Sequence, residues 1–198
     1  ARDEPAGQRH PVRLRPVRSP PGLAAEYVGP NWGVVHRNVM GNGYADLGAS
    51  TQTPPPGVGA LNIRTNLGVT DKAPFGNEKD FFGQPVLGLA DLGFSVSTTG
   101  ENIAKGADNM PSLLMEIDPN LTSTATNFSS LVYTPPNTAA NAWSTVDADS
   151  DSVARWFMTG DAGIATGCTL ATPCTFATVK TKLGDGGGAP IIYTVQVT

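Results

Sequence analysis

Two carboxylates, Glu116 and Asp118, lie one residue apart in the stretch SLLMEIDPN, residues 112–120. In a β-strand, residues at positions i and i+2 point to the same face, so both carboxylates would share one surface. Glycoside hydrolases use paired carboxylates, one as nucleophile or base and the other as acid. The spacing therefore raises three hypotheses: sugar cleavage, ligand binding, or a solvated strand end.

The neighbouring residues disfavour sugar cleavage. Concanavalin-like hydrolases that resemble laminarinases place a second Glu two or three residues after the Asp. Here those positions hold Asn120 and Leu121. Pro119 has no N–H to donate, so it is expected to end the strand. A retaining mechanism needs both a nucleophile and an acid. We therefore expect 112–118 to be a buried central strand whose polar end faces a loop.

A sugar-binding surface typically combines carboxylates, amides and aromatic rings. The predicted ligand contacts are of these three kinds: Glu116, Asp118, Asn120, Tyr133, Trp143 and Trp32. For Trp32 and Trp143, core packing stays an open alternative, and Trp156 in ARWFMTG is expected in the core.

The loop DADSDS, residues 147–152, begins like a calcium-binding loop. Asp147, Asp149 and Asp151 would occupy positions 1, 3 and 5 of an EF-hand. Ser152 and Met158 stand where that loop needs Gly and Glu. The alternatives are an irregular Ca²⁺ site, with Ca²⁺ as the one cofactor considered, or a solvated acidic loop.

The two cysteines, Cys168 and Cys174, are separated by small and turn-forming residues. The sequence has no CxxC motif and only His10 and His36 to complete a metal site, so a zinc centre is disfavoured. A short-loop disulfide is expected, with two reduced cysteines as the alternative.

The composition indicates a secreted all-β domain. Only 15% of the 198 residues are charged, whereas Gly (23) and Pro (17) are abundant. A net charge of −4 argues against general nucleic-acid binding. No apolar stretch approaches the roughly 20 residues that span a membrane.

Short alternating segments separated by turn signals indicate strands, as in ALNIRTNL, residues 60–67. One short helix is expected near 175–183, with Gly184 ending it. The expected fold class is an antiparallel β-sandwich of jelly-roll or concanavalin-like type. A parallel β-helix is the alternative, disfavoured because no repeat is visible.

Residues 1–22 form a basic arm rich in proline and arginine. The arm either is a disordered leader or docks on a partner through its arginines, Arg9, Arg13, Arg15 and Arg18. Residues 23–198 are expected to form one β-sandwich domain that lacks or borrows a closing strand. The last strand, 190–198, would then be an open edge for self-assembly together with residues 1–22.

Several segments resemble a group of secreted actinobacterial proteins of unassigned activity. They include PPPGVGALNIRT (54–65), MPSLLMEIDPN (110–120), WSTVDADSDSVARWFMTG (143–160), CTLATPCTFATVK (168–180) and YTVQVT (193–198). The resemblance covers most of residues 32–198. It implies a lectin-like β-sandwich that continues with a further strand beyond YTVQVT, and it transfers no catalytic residue.

These observations favour a secreted, non-enzymatic β-sandwich that binds glycans or a cell-surface polymer. A structural subunit of an extracellular assembly or filament is the alternative. A polysaccharide-cleaving enzyme comes third.

Overall fold

The computed structural model describes residues 30–50, 52–55, 59–65, 70–101, 103 and 109–198. The strands of this part are β1 (Trp32–Val34), β2 (Tyr44–Gly48), β3 (Ala60–Arg64), β4 (Phe75–Asn77), β5 (Gly93–Ser97), β6 (Leu113–Asp118), β7 (Ser129–Tyr133), β8 (Trp143–Asp147), β9 (Trp156–Met158) and β10 (Ile191–Val197). The described part also contains the α-helices α1 (Gly160–Thr166) and α2 (Phe176–Leu183) and the 3-10 helices His36–Asn38 and Val86–Gly88.

The strands are joined in antiparallel pairs. Six form one sheet in the order β1-β4-β10-β6-β7-β9, while β2–β3 and β5–β8 form two separate pairs. The expected all-β antiparallel class is therefore confirmed. A jelly-roll or concanavalin-like sandwich stays a prediction, since the described strands make one large sheet and two small ones.

The last strand, β10, lies in the middle of the large sheet. It pairs with β4 on one side, Val195 opposite Asn77, and with β6 on the other, Val195 opposite Met115. The prediction that this strand is an open edge for self-assembly is therefore wrong. Even the polar residues Thr194 and Gln196 of this strand are buried.

The large sheet has one apolar and one polar face. The apolar face carries Met115 and Leu131 of the main hydrophobic core, to which side chains of both helices also belong, and Val195 packs against that core. The opposite face, named the polar face, carries Glu116 with Thr194 opposite it on β10 and Ser130 on β7, next to the buried side chains of Leu114 and Val132. Burial of the apolar face supplies most of the driving force for folding.

A β-bulge at Tyr193 sets the faces of β10. The pairing of β10 with β6 shifts between Ile192 and Thr194, so Ile192 lies opposite Ile117 and Thr194 opposite Glu116. Without the extra residue, Ile192 and Thr194 would lie on the same face. The bulge therefore places the side chain of Ile192 in the apolar core and that of Thr194 on the polar face.

The predicted helix is confirmed as α2. The Thr175 hydroxyl accepts a hydrogen bond from the Thr178 N–H, and Phe176, Val179 and Leu183 are buried. Helix α1 was not predicted from the sequence. The signal was Gly167, which ends α1 in the left-handed conformation with φ of 74°.

The predicted disulfide between Cys168 and Cys174 is present. It closes the loop between α1 and α2, whose carbonyls pair with β9: Met158 N–H donates to Cys168 O (2.8 Å) and Trp156 N–H to Cys174 O (2.9 Å). The disulfide therefore secures the segment that covers the outer edge of the large sheet.

Replacing both cysteines with serine is expected to lower the free energy of unfolding by about 2 kcal/mol, because the unfolded chain regains loop entropy. Urea unfolding of the variant measures the loss, and the wild type in dithiothreitol should lose a similar amount. An unchanged urea midpoint after verified reduction would show that the disulfide contributes nothing.

In the described ranges, no helix has the length and apolar character that crossing a bilayer requires. The basic arm, residues 1–22 with Arg9, Arg13, Arg15 and Arg18, lies outside the described residues.

Candidate functional site

Strand β6 brings both predicted carboxylates to the polar face. It runs from Leu113 to Asp118 and ends before Pro119, as its lack of an N–H predicts. The strand is central, between β10 and β7. Glu116 therefore lies inside the polar face, and Asp118 lies at its end.

Glu116 is held by the 3-10 helix that follows β1. Arg37 forms an ion pair with it, and Asn38 Nδ2 donates to Glu116 Oε1 at 2.8 Å. Arg37 also donates to Thr194 Oγ1 (3.0 Å) and pairs with Glu78. The Glu116 carboxylate is thus satisfied on both oxygens and only 6% exposed.

The partners of Glu116 keep it ionised. Burial alone would raise the pKa of this carboxyl, but hydrogen bonds from Asn38, Thr194 and Arg37, with the charge of Arg37, lower it below its usual value. Burial also lowers the pKa of Lys72, an effect that the charge of Glu116 opposes. The arrangement is that of a partly buried ion-pair network rather than of a free nucleophile.

Asp118 organises the end of β6. Its Oδ1 accepts from the Asn120 N–H (3.1 Å), and its Oδ2 accepts from the Tyr193 hydroxyl (3.3 Å). The same hydroxyl donates to Asn127 O at 3.1 Å. Asn120 has a positive φ of 47°, and its Nδ2 donates to Ala189 O at 2.8 Å. The side chain of Asn120 thus supports the loop, while Asp118 positions Tyr193.

Tyr193 and Phe82 form an aromatic platform beside Asp118. Their rings stack with centroids 6.0 Å apart, and Phe82 is 62% exposed. Its neighbour Phe81 instead packs against the core and meets Trp32 edge-on. The platform therefore offers an aromatic surface to solvent next to a carboxylate that fixes one of its rings.

Three aromatic residues that were predicted as ligand contacts lie outside this platform. Tyr133 is buried on the apolar face and donates to Asp151 Oδ2 (2.8 Å). Burial, with the Asp151 hydrogen bond and charge, raises the pKa of Tyr133. Trp143, on β8, donates to Gln52 O (3.4 Å), and Trp32 stacks on Phe75 (6.3 Å). The aromatic residue that contacts Asp118 is Tyr193, which the sequence did not single out.

The acidic loop does not gather its carboxylates around one point. Asp149 accepts from the N–H groups of Asp91 and Leu92, at 3.2 and 2.7 Å. Asp151 binds Tyr133 and Arg155, and Asp147 accepts from the Ser150 N–H. Across the described residues, no group of three or more His, Cys, Asp or Glu side chains is placed to hold a metal ion. An irregular Ca²⁺ site at Asp147, Asp149 and Asp151 stays a prediction.

A small hollow of about 220 Å³ opens at the β1–β4 edge of the large sheet. Its lining is Pro30, Asn31, Trp32, Gly33, Val34, Gly76, Glu78 and Lys79. Ligand pockets for drug-sized molecules are commonly about 300–1,000 Å³. The hollow is small by that standard, so the exposed platform is the stronger candidate for a binding surface.

Comparison of the chain with protein-family models, with curated proteins and with solved structures gave no match.

Proposed function

We propose that this protein is a secreted, non-enzymatic carbohydrate-binding domain that holds a glycan on the platform of Phe82 and Tyr193. One observation carries the proposal: exposed Phe82 stacks on half-buried Tyr193, whose hydroxyl is held by a carboxylate at the end of a central strand. Aromatic rings stack on the C–H faces of sugars, while carboxylate and carbonyl oxygens accept from sugar hydroxyls. Asp118 and the Asn127 carbonyl supply such oxygens.

The geometry around Glu116 supports binding over cleavage. A retaining glycosidase needs a nucleophile that reaches the sugar and a second carboxyl about 5 Å away that donates a proton. Both oxygens of the Glu116 carboxylate are bound by Arg37 and Asn38. In the hydrolases with a similar Glu-x-Asp motif, the acid lies at a position that Asn120 occupies in this chain. We therefore assign Glu116 a structural role beneath the binding surface.

The disulfide supports secretion, since such bonds persist in oxidising compartments. The alternative is a subunit of an extracellular assembly. An open C-terminal strand no longer supports it, because β10 lies in the middle of the sheet.

Removing the Phe82 ring tests the proposal. In pull-down and affinity electrophoresis with cellulose, xylan, mannan and chitin, the wild type is expected to be retained by at least one polymer. Phe82→Ala should weaken that binding about tenfold or more, as truncating an aromatic anchor commonly does. Circular dichroism checks that the variant is folded.

Leu170→Ala is the matched control, because Leu170 is 72% exposed but lies in the disulfide loop. It should bind like the wild type. Retention of the wild type by no polymer, or equal binding by Phe82→Ala and wild type, would contradict the proposal.

A further inference from the structure

We infer that the platform binds an uncharged polysaccharide along its length, with Phe128 as a second stacking contact across Asp118 from Phe82. The inference rests on the proposed function and names the substrate class of the same site.

Phe128 lies next to the group that anchors the platform. Tyr193 donates its hydroxyl hydrogen to the carbonyl of Asn127, the residue immediately before Phe128. Phe128 itself immediately precedes β7, in which Ser129 is buried and pairs with Ile117 of the apolar face. Continuing the alternation of β7 by one residue places Phe128 on the side of Glu116 and Asp118. Phe128 is 51% exposed.

The order across the polar face is therefore Phe82, Tyr193, Asp118 and then Phe128. Tyr193 connects Phe82 with Asp118, because its ring stacks on Phe82 and its hydroxyl hydrogen-bonds to Asp118 and to Asn127. A single sugar covers one exposed ring. A chain of sugars crossing β10, β6 and β7 contacts Phe82 and Phe128 together, so affinity should rise with chain length.

Both outer rings are more than half exposed, so a polymer reaches them from the side, without a chain end entering a pocket. The small hollow belongs to another part of the sheet, at the β1–β4 edge. This openness favours an internal stretch of polysaccharide over a monosaccharide, which pockets enclose on most of its surface.

Charge selects among polysaccharides. The carboxylate of Asp118 lies between the two exposed rings and accepts the Tyr193 hydrogen bond. A uronate or sulfate placed there is repelled at short range, whereas a neutral hydroxyl donates to the carboxylate. The site should therefore exclude acidic polymers such as alginate and heparin.

Calorimetric titration with oligosaccharides from disaccharide to hexasaccharide, prepared from the neutral polymer that retains the wild type, tests the inference. Wild-type affinity should rise with length by about tenfold overall. Phe128→Ala should remove this gain, and Phe128→Tyr should restore it. Alginate and heparin should not retain the protein.

Length-independent affinity, an unchanged gain in Phe128→Ala, or retention by alginate or heparin in preference to neutral polymers would overturn the inference. These outcomes leave the proposed function standing if Phe82→Ala still loses saccharide binding. Retention by no saccharide at all defeats the proposed function itself.

Discussion

Trp156→Ala is expected to lower the free energy of unfolding by about 3–5 kcal/mol, the usual cost of removing a large aromatic side chain from a core. Trp156 is fully buried between Tyr133 and Phe176, with ring centroids 5.2 and 4.8 Å away. Its Nε1 donates to Ala148 O at 2.7 Å. The substitution removes both ring contacts and leaves a buried carbonyl without its donor.

Urea unfolding followed by far-UV circular dichroism measures the loss. Trp143→Ala is the matched control, because Trp143 is only half-buried on β8 and its hydrogen bond to Gln52 O is long, 3.4 Å. It should cost about 1 kcal/mol, the typical value for a point substitution. An equal loss in both variants would show that Trp156 is not the centre of the core.

Arg37→Met is expected to destabilise the protein by about 2 kcal/mol at neutral pH, because it leaves the Glu116 carboxylate without its cation. Breaking a fully buried pair costs about 3–5 kcal/mol. The Arg37 side chain is 48% exposed, so solvent screening reduces that figure. Asn38 and Thr194 remain as donors and limit the loss further.

The loss in Arg37→Met should depend on pH. The folded-state pKa of Glu116 lies below its unfolded value, so its contribution is complete above the unfolded pKa of 4.5. That contribution disappears as the pH falls through the lowered folded value. The difference between wild type and variant should therefore shrink as the pH falls below 4.5.

Unfolding in urea at neutral pH and in acid tests this prediction. Glu116→Gln serves as the matched control, because adding Arg37→Met to it should cost much less than adding it to the wild type. A pH-independent loss, or an equal cost in both backgrounds, would mean that Arg37 acts through packing and not through the charge of Glu116.

Strand alternation was sufficient to predict part of the site. It placed Glu116 and Asp118 on one face, and the missing N–H of Pro119 marked the end of β6. The same local signals located α2, whose cap, apolar spacing and terminal glycine all lie within ten or so residues. Such features depend only on neighbours in sequence.

The partners of these carboxylates could not be predicted in this way. Arg37 reaches Glu116 from 79 residues away, and Tyr193 reaches Asp118 from 75 residues away. The bulge at Tyr193 interrupts the alternation of β10, so no period of two reveals which residues of that strand face Asp118. Sequence reasoning likewise gave no signal that Phe82 stacks on Tyr193, since the two residues lie far apart in the chain.

Chemical-shift perturbation in a ¹⁵N-labelled sample tests the central claim most directly. On addition of a neutral hexasaccharide from the retained polymer, we expect the largest shifts at the amides of Phe82, Tyr193, Asp118 and Phe128. Largest shifts at Trp32 or Trp143, or in the loop 147–152, would contradict it.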